Sequence, residues 1–288
     1  MLQMKTLLVP TDFSKCAENA LNYAIALAKK ENMKIILLHA FHFAYVTPDV
    51  PIELIAEQIA LMERNAKKQM DLLLVKSFQK EKIKYECITK QGLAVDLILD
   101  VIGKRKPYMI IMGTKGASGI KEVLLGNNTT KIIEKAKCPV IAVPEKALFK
   151  GIKRITYASD YHSADIIAIK KMVEIVKPFK ALINILHISD KQEYTEDYET
   201  TLLKSFAKKI SDKINYRNFS FHLIFGNSIE SEIKKHIKSK TPDIIALSTR
   251  HRNLIERIFE KSITKKIVNH INIPLLVFHY KQQSVVFI

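Results

Sequence analysis

Three glycines in the first half of the chain are spaced in a way that suits phosphate binding. Gly113 ends an apolar run, Gly116 follows after two intervening residues, and Gly126 follows after nine more. Glycine lets a backbone approach a ligand closely and adopt positive φ, so that several N–H groups can point at phosphate oxygens. Gly126 also precedes a helical pattern, and a helix N-terminus is a favourable place for an anion. The spacing therefore favours an anion-binding loop from Gly113 to Gly126.

The elements that would position this loop alternate between strands and helices. In the first half, strand patterns cover 7–12, 34–42, 85–90, 108–113 and 139–144. Helical patterns cover 14–30, a long stretch from the break at Pro48 and Pro51 to about 79, then 93–104 and 129–137. Strands that alternate with helices predict parallel sheets with right-handed connections. Continuous Ile, Leu and Val runs are typical of strands buried on both faces.

The second half repeats this order. Its strand patterns cover 154–160, 181–189, 219–225, 243–249 and 274–280, and helical patterns separate them. Residues 113–139 align with 248–274 without a gap, and His39 coincides with His187. The repeat predicts an α/β protein of two tandem domains, 1–147 and 148–288. Each domain is expected to be an open, five-stranded, mostly parallel sheet with helices on both faces.

Composition narrows the classes of function. The net charge of +17 is spread along all 288 residues rather than gathered in one basic block, and Trp is absent. This distribution argues against a nucleic-acid-binding protein, which needs a concentrated basic patch. No apolar run is long enough to span a membrane, and the start shows no secretion signal, so a cytoplasmic protein is expected. Cys16, Cys87 and Cys138 match no metal or redox spacing, which favours free and mostly buried thiols.

Several stretches of the first half together resemble the universal stress protein family. They are VPTDFSKCAENALNYAIALA (9–28), the segment around Gly92, MGTKGASG (112–119) and LLGNNTTKIIEKAKCPVIAVP (124–144). Nucleotide-binding members of that family carry Gly-x2-Gly-x9-Gly followed by Ser or Thr. The glycine spacing matches here, but Asn127 stands where Ser or Thr is usual. The whole chain resembles the tandem members, whose domains have the adenine-nucleotide α-hydrolase-like fold.

The resemblance implies that the first domain binds ATP or another adenine nucleotide, with or without Mg²⁺. Asp12 would lie near the ribose or the adenine, and the backbone of Ala40 would face the adenine. Lys115 would neutralise a polyphosphate with its flexible ammonium. Either Thr129 or Asn127 could cap the helix that follows. The full implied set is Pro10, Thr11, Asp12, Ala40, Met112, Gly113, Lys115, Gly116, Gly126, Asn127, Asn128 and Thr129.

The second half lacks the glycines of this loop. Ser248, His251 and Lys261 stand in their places, although Asp160 persists where the first half has Asp12. Side chains at those positions would crowd a phosphate, and any position that needed positive φ would become strained. We therefore expect no ATP in the second domain. A different ligand, or an anion held by residues 250–252, stays open, although a solvated basic loop is the preferred interpretation.

The sequence favours a nucleotide-binding regulatory protein of the stress response. A slow ATPase or a nucleotide-dependent transferase is the alternative, although no catalytic residue and no metal ligand can be identified. His39 and His42 lie three apart on a strand and would face opposite sides, so joint metal binding is not expected. Family resemblance also implies pairing of the last strands of the two domains, a homodimer and an unidentified regulatory protein partner. The apolar end QQSVVFI (282–288) could add an edge strand or cover a partner.

Overall fold

The chain folds as two compact units, Met1–Phe149 and Lys150–Ile288. The computed structural model describes residues 4–43, 51–79, 81–116, 125–189, 195–226, 228–249 and 273–279. In these described residues each unit has five parallel strands that alternate with helices, which confirms the predicted fold class of two tandem α/β domains. We describe each domain by itself.

The first domain follows the predicted order of elements. They are β1 (Thr6–Pro10), α1 (Lys15–Glu31), β2 (Lys34–Phe41), α2 (Ile52–Phe78), β3 (Tyr85–Gln91), α3 (Ala94–Arg105), β4 (Met109–Gly113), α4 (Asn127–Lys135) and β5 (Val140–Val143). The strands lie side by side in the order β3-β2-β1-β4-β5, and every pair is parallel. The order reverses between β1 and β4, so the loops after these two strands meet at one edge of the sheet.

Local sequence explains why the central elements form. Strands β1 and β4 are buried along almost their whole length, as their unbroken apolar runs predict. Helix α1 begins at Ser14, whose hydroxyl accepts a hydrogen bond from the N–H of Ala17. It ends at Asn32 in the left-handed conformation, which asparagine tolerates better than most residues. These signals place the start of α1 directly beneath the loop that follows β1.

The second domain repeats the arrangement. Its elements are β6 (Arg154–Ala158), α5 (Ser163–Val176), β7 (Leu182–Ser189), α6 (Glu196–Lys213), β8 (Phe219–Phe225), α7 (Ile229–Lys240), β9 (Ile244–Ser248) and β10 (Leu275–Phe278), with a short 3₁₀ turn at Lys177–Phe179. The strands are parallel in the order β8-β7-β6-β9-β10. The helix expected between 249 and 274 and the apolar C-terminal segment lie outside the described residues.

Two local expectations differ from the structure. Helix α4 runs from Asn127 to Lys135, so it begins and ends two residues earlier than the pattern at 129–137 predicts. The three cysteines are free, as expected, but only Cys16 is buried, whereas Cys87 is exposed and Cys138 half-buried. Within the part of the chain that is described, no helix is long and apolar enough to cross a membrane.

Candidate functional site

A cleft of about 380 Å³ opens at the carboxyl ends of β1, β2 and β4 in the first domain. This size falls within the range of small-molecule sites. Every residue that the sequence analysis assigned to a nucleotide lies on its wall: Pro10, Thr11, Asp12, Ala40, Met112, Gly113, Lys115, Gly116, Gly126, Asn127, Asn128 and Thr129. The fold therefore brings together residues that are far apart in the sequence.

Four further lining residues were missed by the sequence analysis. They are apolar residues of the surrounding elements: Ala17, Leu38, Ala94 and Ile98. Their only sequence signal is position, because Ala17 and Ala94 begin helices that follow strands. They add apolar surface to the lining of the cleft. Such a surface suits a flat ring.

The loop after β1 is held by its own side chains. The N–H of Phe13 donates to the Thr11 hydroxyl at 3.1 Å, and the N–H of Ser14 donates to the Asp12 carboxylate at 3.1 Å. Phe13 adopts a φ of 62°, an uncommon value for a bulky residue. These contacts fix a tight turn that presents Asp12 to the cleft.

His39 fastens this turn to β2. Its Nδ1 lies 2.8 Å from the carbonyl oxygen of Thr11, and its ring stacks against that of Phe13 with centroids 4.3 Å apart. A carbonyl oxygen can only accept, so Nδ1 carries the proton. His39 thus ties the loop after β1 to β2.

Gly113 and Gly116 are glycines for reasons of space. A Cβ on Gly113 would lie 2.9 Å from the Cys16 sulfur and 3.0 Å from the Cys16 carbonyl carbon. A Cβ on Gly116 would lie 2.6 Å from a carboxylate oxygen of Asp12. The lack of a side chain at Gly113 lets α1 pack against β4. The lack of one at Gly116 lets Asp12 lie beside the loop.

The expectation that the loop glycines need positive φ is wrong. Among the described glycines only Gly92 and Gly151 adopt it. Gly126 has a φ of −65° and a ψ of 153°, an extended conformation open to any residue. The N–H of Gly126 donates to the Thr114 carbonyl oxygen at 2.7 Å, which joins the start of α4 to the residue after β4.

Helix α4 opens on the cleft without a side-chain cap. Its N-cap is Gly126, so the prediction that Thr129 or Asn127 caps the helix is wrong. The Thr129 hydroxyl instead donates to the carbonyl oxygen of Gly113 at 2.9 Å and ties the helix to the end of β4. The first N–H groups of a helix have no partner within it. Here they belong to residues that line the cleft, which makes this end of the cleft favourable for an anion.

The second domain copies the loop after the first strand bond for bond. The N–H of Tyr161 donates to the Ser159 hydroxyl at 3.0 Å, and the N–H of His162 donates to Asp160 at 3.2 Å. His187 lies 2.8 Å from the Ser159 carbonyl oxygen through Nδ1 and stacks on Tyr161 at 4.3 Å. The φ of Tyr161 is 60°.

Beneath this loop the second domain is filled. Asp165 is fully buried and accepts hydrogen bonds from the hydroxyls of Tyr157 at 2.8 Å and Ser159 at 2.7 Å. The same helix position in the first domain is Ala17, which lines the cleft. Burial, with the Asp165 carboxylate beside it, raises the pKa of Tyr157 well above its usual value, so the tyrosine stays a hydrogen-bond donor. This network is not predicted from the sequence, where its signal is the polar pair Tyr157 and Asp165 in place of Val9 and Ala17 of the first domain.

Of the three residues that replace the loop glycines in the second domain, Ser248 lies in the described part of the chain. Ser248, which replaces Gly113, ends β9 and is only 2% exposed. His251 and Lys261, and the possible anion site at residues 250–252, lie outside the described residues. Among the residues that the structure does describe, no group of three or more His, Cys, Asp or Glu side chains could hold a metal ion.

Together, the strand order and the cleft that the glycine loop lines at the reversal point define a tandem α/β protein with a cleft in the described part of its first domain. The sequence pattern of the Universal stress protein family matches residues 4–144 and again 151–279. The chain therefore belongs to the universal stress protein family.

Relatives of known name agree with this assignment. A universal stress protein of Methanocaldococcus jannaschii is 28% identical over 145 residues, which cover 48% of this chain and 81% of the relative. The universal stress protein YxiE of Bacillus subtilis is 30% identical over 144 residues, or 48% of this chain and 97% of the relative. The crystal structure of a universal stress protein from Archaeoglobus fulgidus superposes with a TM-score of 0.71 at 19% identity, covering 96% of this chain and 99% of that one. The last likeness shows the shared tandem fold.

Proposed function

We propose that this protein is a cytoplasmic regulatory protein of the stress response that binds ATP or another adenine nucleotide in its first domain. The observation that carries the proposal is the uncapped start of α4, which opens on the same cleft as Gly113 and Gly116. Backbone N–H groups at a helix start and a glycine-lined approach are what a polyphosphate requires.

The remaining wall suits the other parts of a nucleotide. Lys115 adds a positive charge at the phosphate end, and a Mg²⁺ ion bound with the nucleotide would add more. Ala40, Leu38 and Ile98 would provide an apolar surface for the adenine ring. Asp12, fixed by the N–H of Ser14 and lying beside Gly116, would accept hydrogen bonds from ribose hydroxyls. Asn127 keeps a helix start there, as Ser or Thr would.

The second domain is proposed to bind no nucleotide, because Asp165, Tyr157 and Ser248 fill the space beneath its loop. One ligand for two domains suits regulation, since a nucleotide then stabilises one half of the molecule only. Such a ligand changes a conformational equilibrium through its different affinities for the two states. We further propose, from family resemblance, that the chain forms a homodimer and acts on a protein partner.

The test is isothermal titration calorimetry of the purified protein with ATP, ADP and AMP. We expect one nucleotide per chain. Gly116→Val should abolish binding, because a branched side chain would fill the approach beside Asp12. Gly103→Ala is the matched control: a Cβ at this helical glycine meets no atom within 4 Å, so binding should be unchanged.

Two outcomes would contradict the proposal. One is the absence of binding by any adenine nucleotide to correctly folded protein, as judged by circular dichroism. The other is equal affinity in wild type and Gly116→Val. Phosphate release measured on the same samples addresses the alternative of an ATPase. Turnover faster than about one per minute that disappears in Lys115→Ala would favour the enzyme.

A further inference from the structure

Two histidines of the second domain meet between helix α7 and the sheet. His236 of α7 is only 3% exposed, and its Nε2 lies 3.3 Å from the Thr156 hydroxyl. His222 of β8 places its Nε2 3.0 Å from the Ser220 hydroxyl. The two rings stand edge to face, with centroids 5.3 Å apart. We call His222 and His236 the histidine pair.

The first domain has apolar residues at the corresponding positions. The strand registers make His222 the equivalent of Ile88. Ile88 lies opposite Leu38 and His222 opposite Leu186, and in each domain the carbonyl oxygen of that leucine accepts a hydrogen bond from the loop after the domain's first strand. Helices α3 and α7 have the same length and end on equivalent hydrogen bonds, to Ile102 and Ile237, which equates His236 with Val101. The fold therefore does not require the pair, because the same sheet packs in the first domain without it.

The surroundings of the pair offer cations more readily than anions. Lys240 lies at the end of α7, and Arg154 at the start of β6 bonds to Thr241 just beyond that helix. The carboxylate of Asp243 lies near Arg154, where it accepts from that residue's backbone N–H at 2.8 Å. Glu232, one turn before His236, is held by Lys235 at 2.7 Å. Strand β7 contributes the uncharged Asn184 and Leu186 opposite Ser220 and His222. Among the hydrogen bonds of the described residues, neither ring bonds to a carboxylate, so a proton taken up here would lack a compensating charge.

We propose that the histidine pair is an acid-sensitive contact: proton uptake by the pair releases α7 from the sheet and loosens the second domain, while the first domain keeps its packing. Two charged rings at this distance would repel each other in a buried site. The nucleotide cleft lies in the other domain, so acid would act on one half of the protein and the ligand on the other.

The expected range of pH follows from the direction of the shifts. Burial, the neighbouring His222 and Lys240 lower the pKa of His236 from 6.5 to about 4, and burial lowers that of His222. The folded state then binds fewer protons than the unfolded state. Stability is complete above about pH 6.5 and is lost as the pH falls toward 4. For His236 alone, the ratio of folded to unfolded second domain should fall about 30-fold between pH 7.5 and pH 5.

Hydrogen exchange with mass spectrometry on the nucleotide-free full chain tests this proposal. Protection factors of α7 peptides, corrected for intrinsic exchange, should fall about 30-fold from pH 7.5 to pH 5, while those of α3 stay constant within the same molecule. The double variant His222→Ile with His236→Val carries at these two positions the residue types of their first-domain equivalents, Ile88 and Val101. Its α7 protection should change by less than about threefold.

His236→Gln serves as a second variant in case the double variant folds poorly. Its amide can still bond to Thr156 but does not titrate in this range, so its α7 protection should also depend little on pH. His42→Gln, at an exposed histidine of the first domain, is the matched control and should behave as wild type. Equal α7 protection at both pH values in wild type, or an undiminished fall in His236→Gln, would overturn the proposal.

Discussion

The two loops that follow the first strand of each domain have the same backbone and different surroundings. Phe13 and Tyr161 adopt φ values of 62° and 60°, and His39 and His187 each lie 2.8 Å from a carbonyl oxygen of their loop. In the first domain the loop overhangs a cleft. In the second it covers a buried carboxylate, Asp165.

This difference separates the scaffold from the site. In both domains the acidic residue of the loop, Asp12 or Asp160, accepts a hydrogen bond from the N–H of the second residue after it. Its presence therefore does not distinguish an open domain from a closed one. What distinguishes them is the size of the residues beneath the loop. Ala17 and Gly113 leave space, whereas Asp165 and Ser248 occupy it. Small residues below the loop are therefore better evidence of an open cleft than the loop itself.

Asp165→Ala should give the largest change in stability. The buried Tyr157 and Ser159 hydroxyls would both lose their acceptor, and each unsatisfied donor costs about 1–3 kcal/mol. We expect the second domain to lose about 4 kcal/mol, measured as faster hydrogen exchange of α5 peptides, with α1 peptides of the first domain as the internal reference.

Adding Tyr157→Phe to Asp165→Ala should restore part of this loss, because the orphaned hydroxyl is then removed. Tyr157→Phe alone should be milder than Asp165→Ala. The interaction between the two side chains is the difference between the stability loss of the double variant and the sum of the two single losses. If the two losses simply add, the hydrogen bond between these side chains does not hold the second domain closed.

Gly113→Ser should destabilise the first domain by a smaller amount. It introduces the residue of the second domain, Ser248, at a point where a Cβ would lie 3.0–3.1 Å from backbone atoms of Cys16 and Ala17. Backbone cannot move aside easily, so we expect a loss of about 2 kcal/mol, measured by urea unfolding.

Gly126→Ala is the matched control for Gly113→Ser. A Cβ there would lie 3.4 Å from the nearest atom, the Thr114 carbonyl oxygen, and the backbone is extended. Its loss should be smaller than that of Gly113→Ser, at most about 1 kcal/mol, because alanine is a poorer N-cap than glycine. Similar losses in both variants would mean that the glycines serve backbone conformation after all, and that packing against α1 does not explain Gly113.

The order of the strands and helices could be predicted from the sequence because buried strands appear in it as continuous apolar runs. Strands β1 and β4 are unbroken apolar runs, and Ser14 marks the start of α1. The cleft could be assembled in advance because each lining segment follows a strand, and parallel strands end at one edge. The start of α4 was misjudged because Asn127 and Thr129 both suit a cap, and only the structure shows the Thr129 hydroxyl already bound to Gly113.

The closure of the second domain could not be predicted in full. The absence of the loop glycines in the second half suggests a closed site. However, Tyr157 lies on a strand and Asp165 on a helix, eight residues apart, and no local pattern in the sequence shows that their side chains are in contact. Positive φ was expected at glycines whose real constraint is the distance to Cys16 or Asp12, which depends on tertiary packing. Contacts between elements are where sequence reasoning failed here.

The smallest expected effect concerns the caps of the two equivalent helices. The Ser14 hydroxyl accepts from the N–H of Ala17, and in the second domain His162 Nδ1 accepts from the N–H of Ala164. Ser14→Ala should cost the first domain about 1 kcal/mol, measured by exchange of α1 peptides, and Ser14→Asp should cost little because aspartate caps equally well. His162→Ala should cost less than Ser14→Ala, since the contact from Nδ1 reaches only the second residue of the helix. Equal losses of stability in Ser14→Ala and Ser14→Asp would contradict this prediction. They would show that Asp12 and His39 alone hold the loop, and that packing beneath Gly113, and not the Ser14 cap, fixes the first turn of α1.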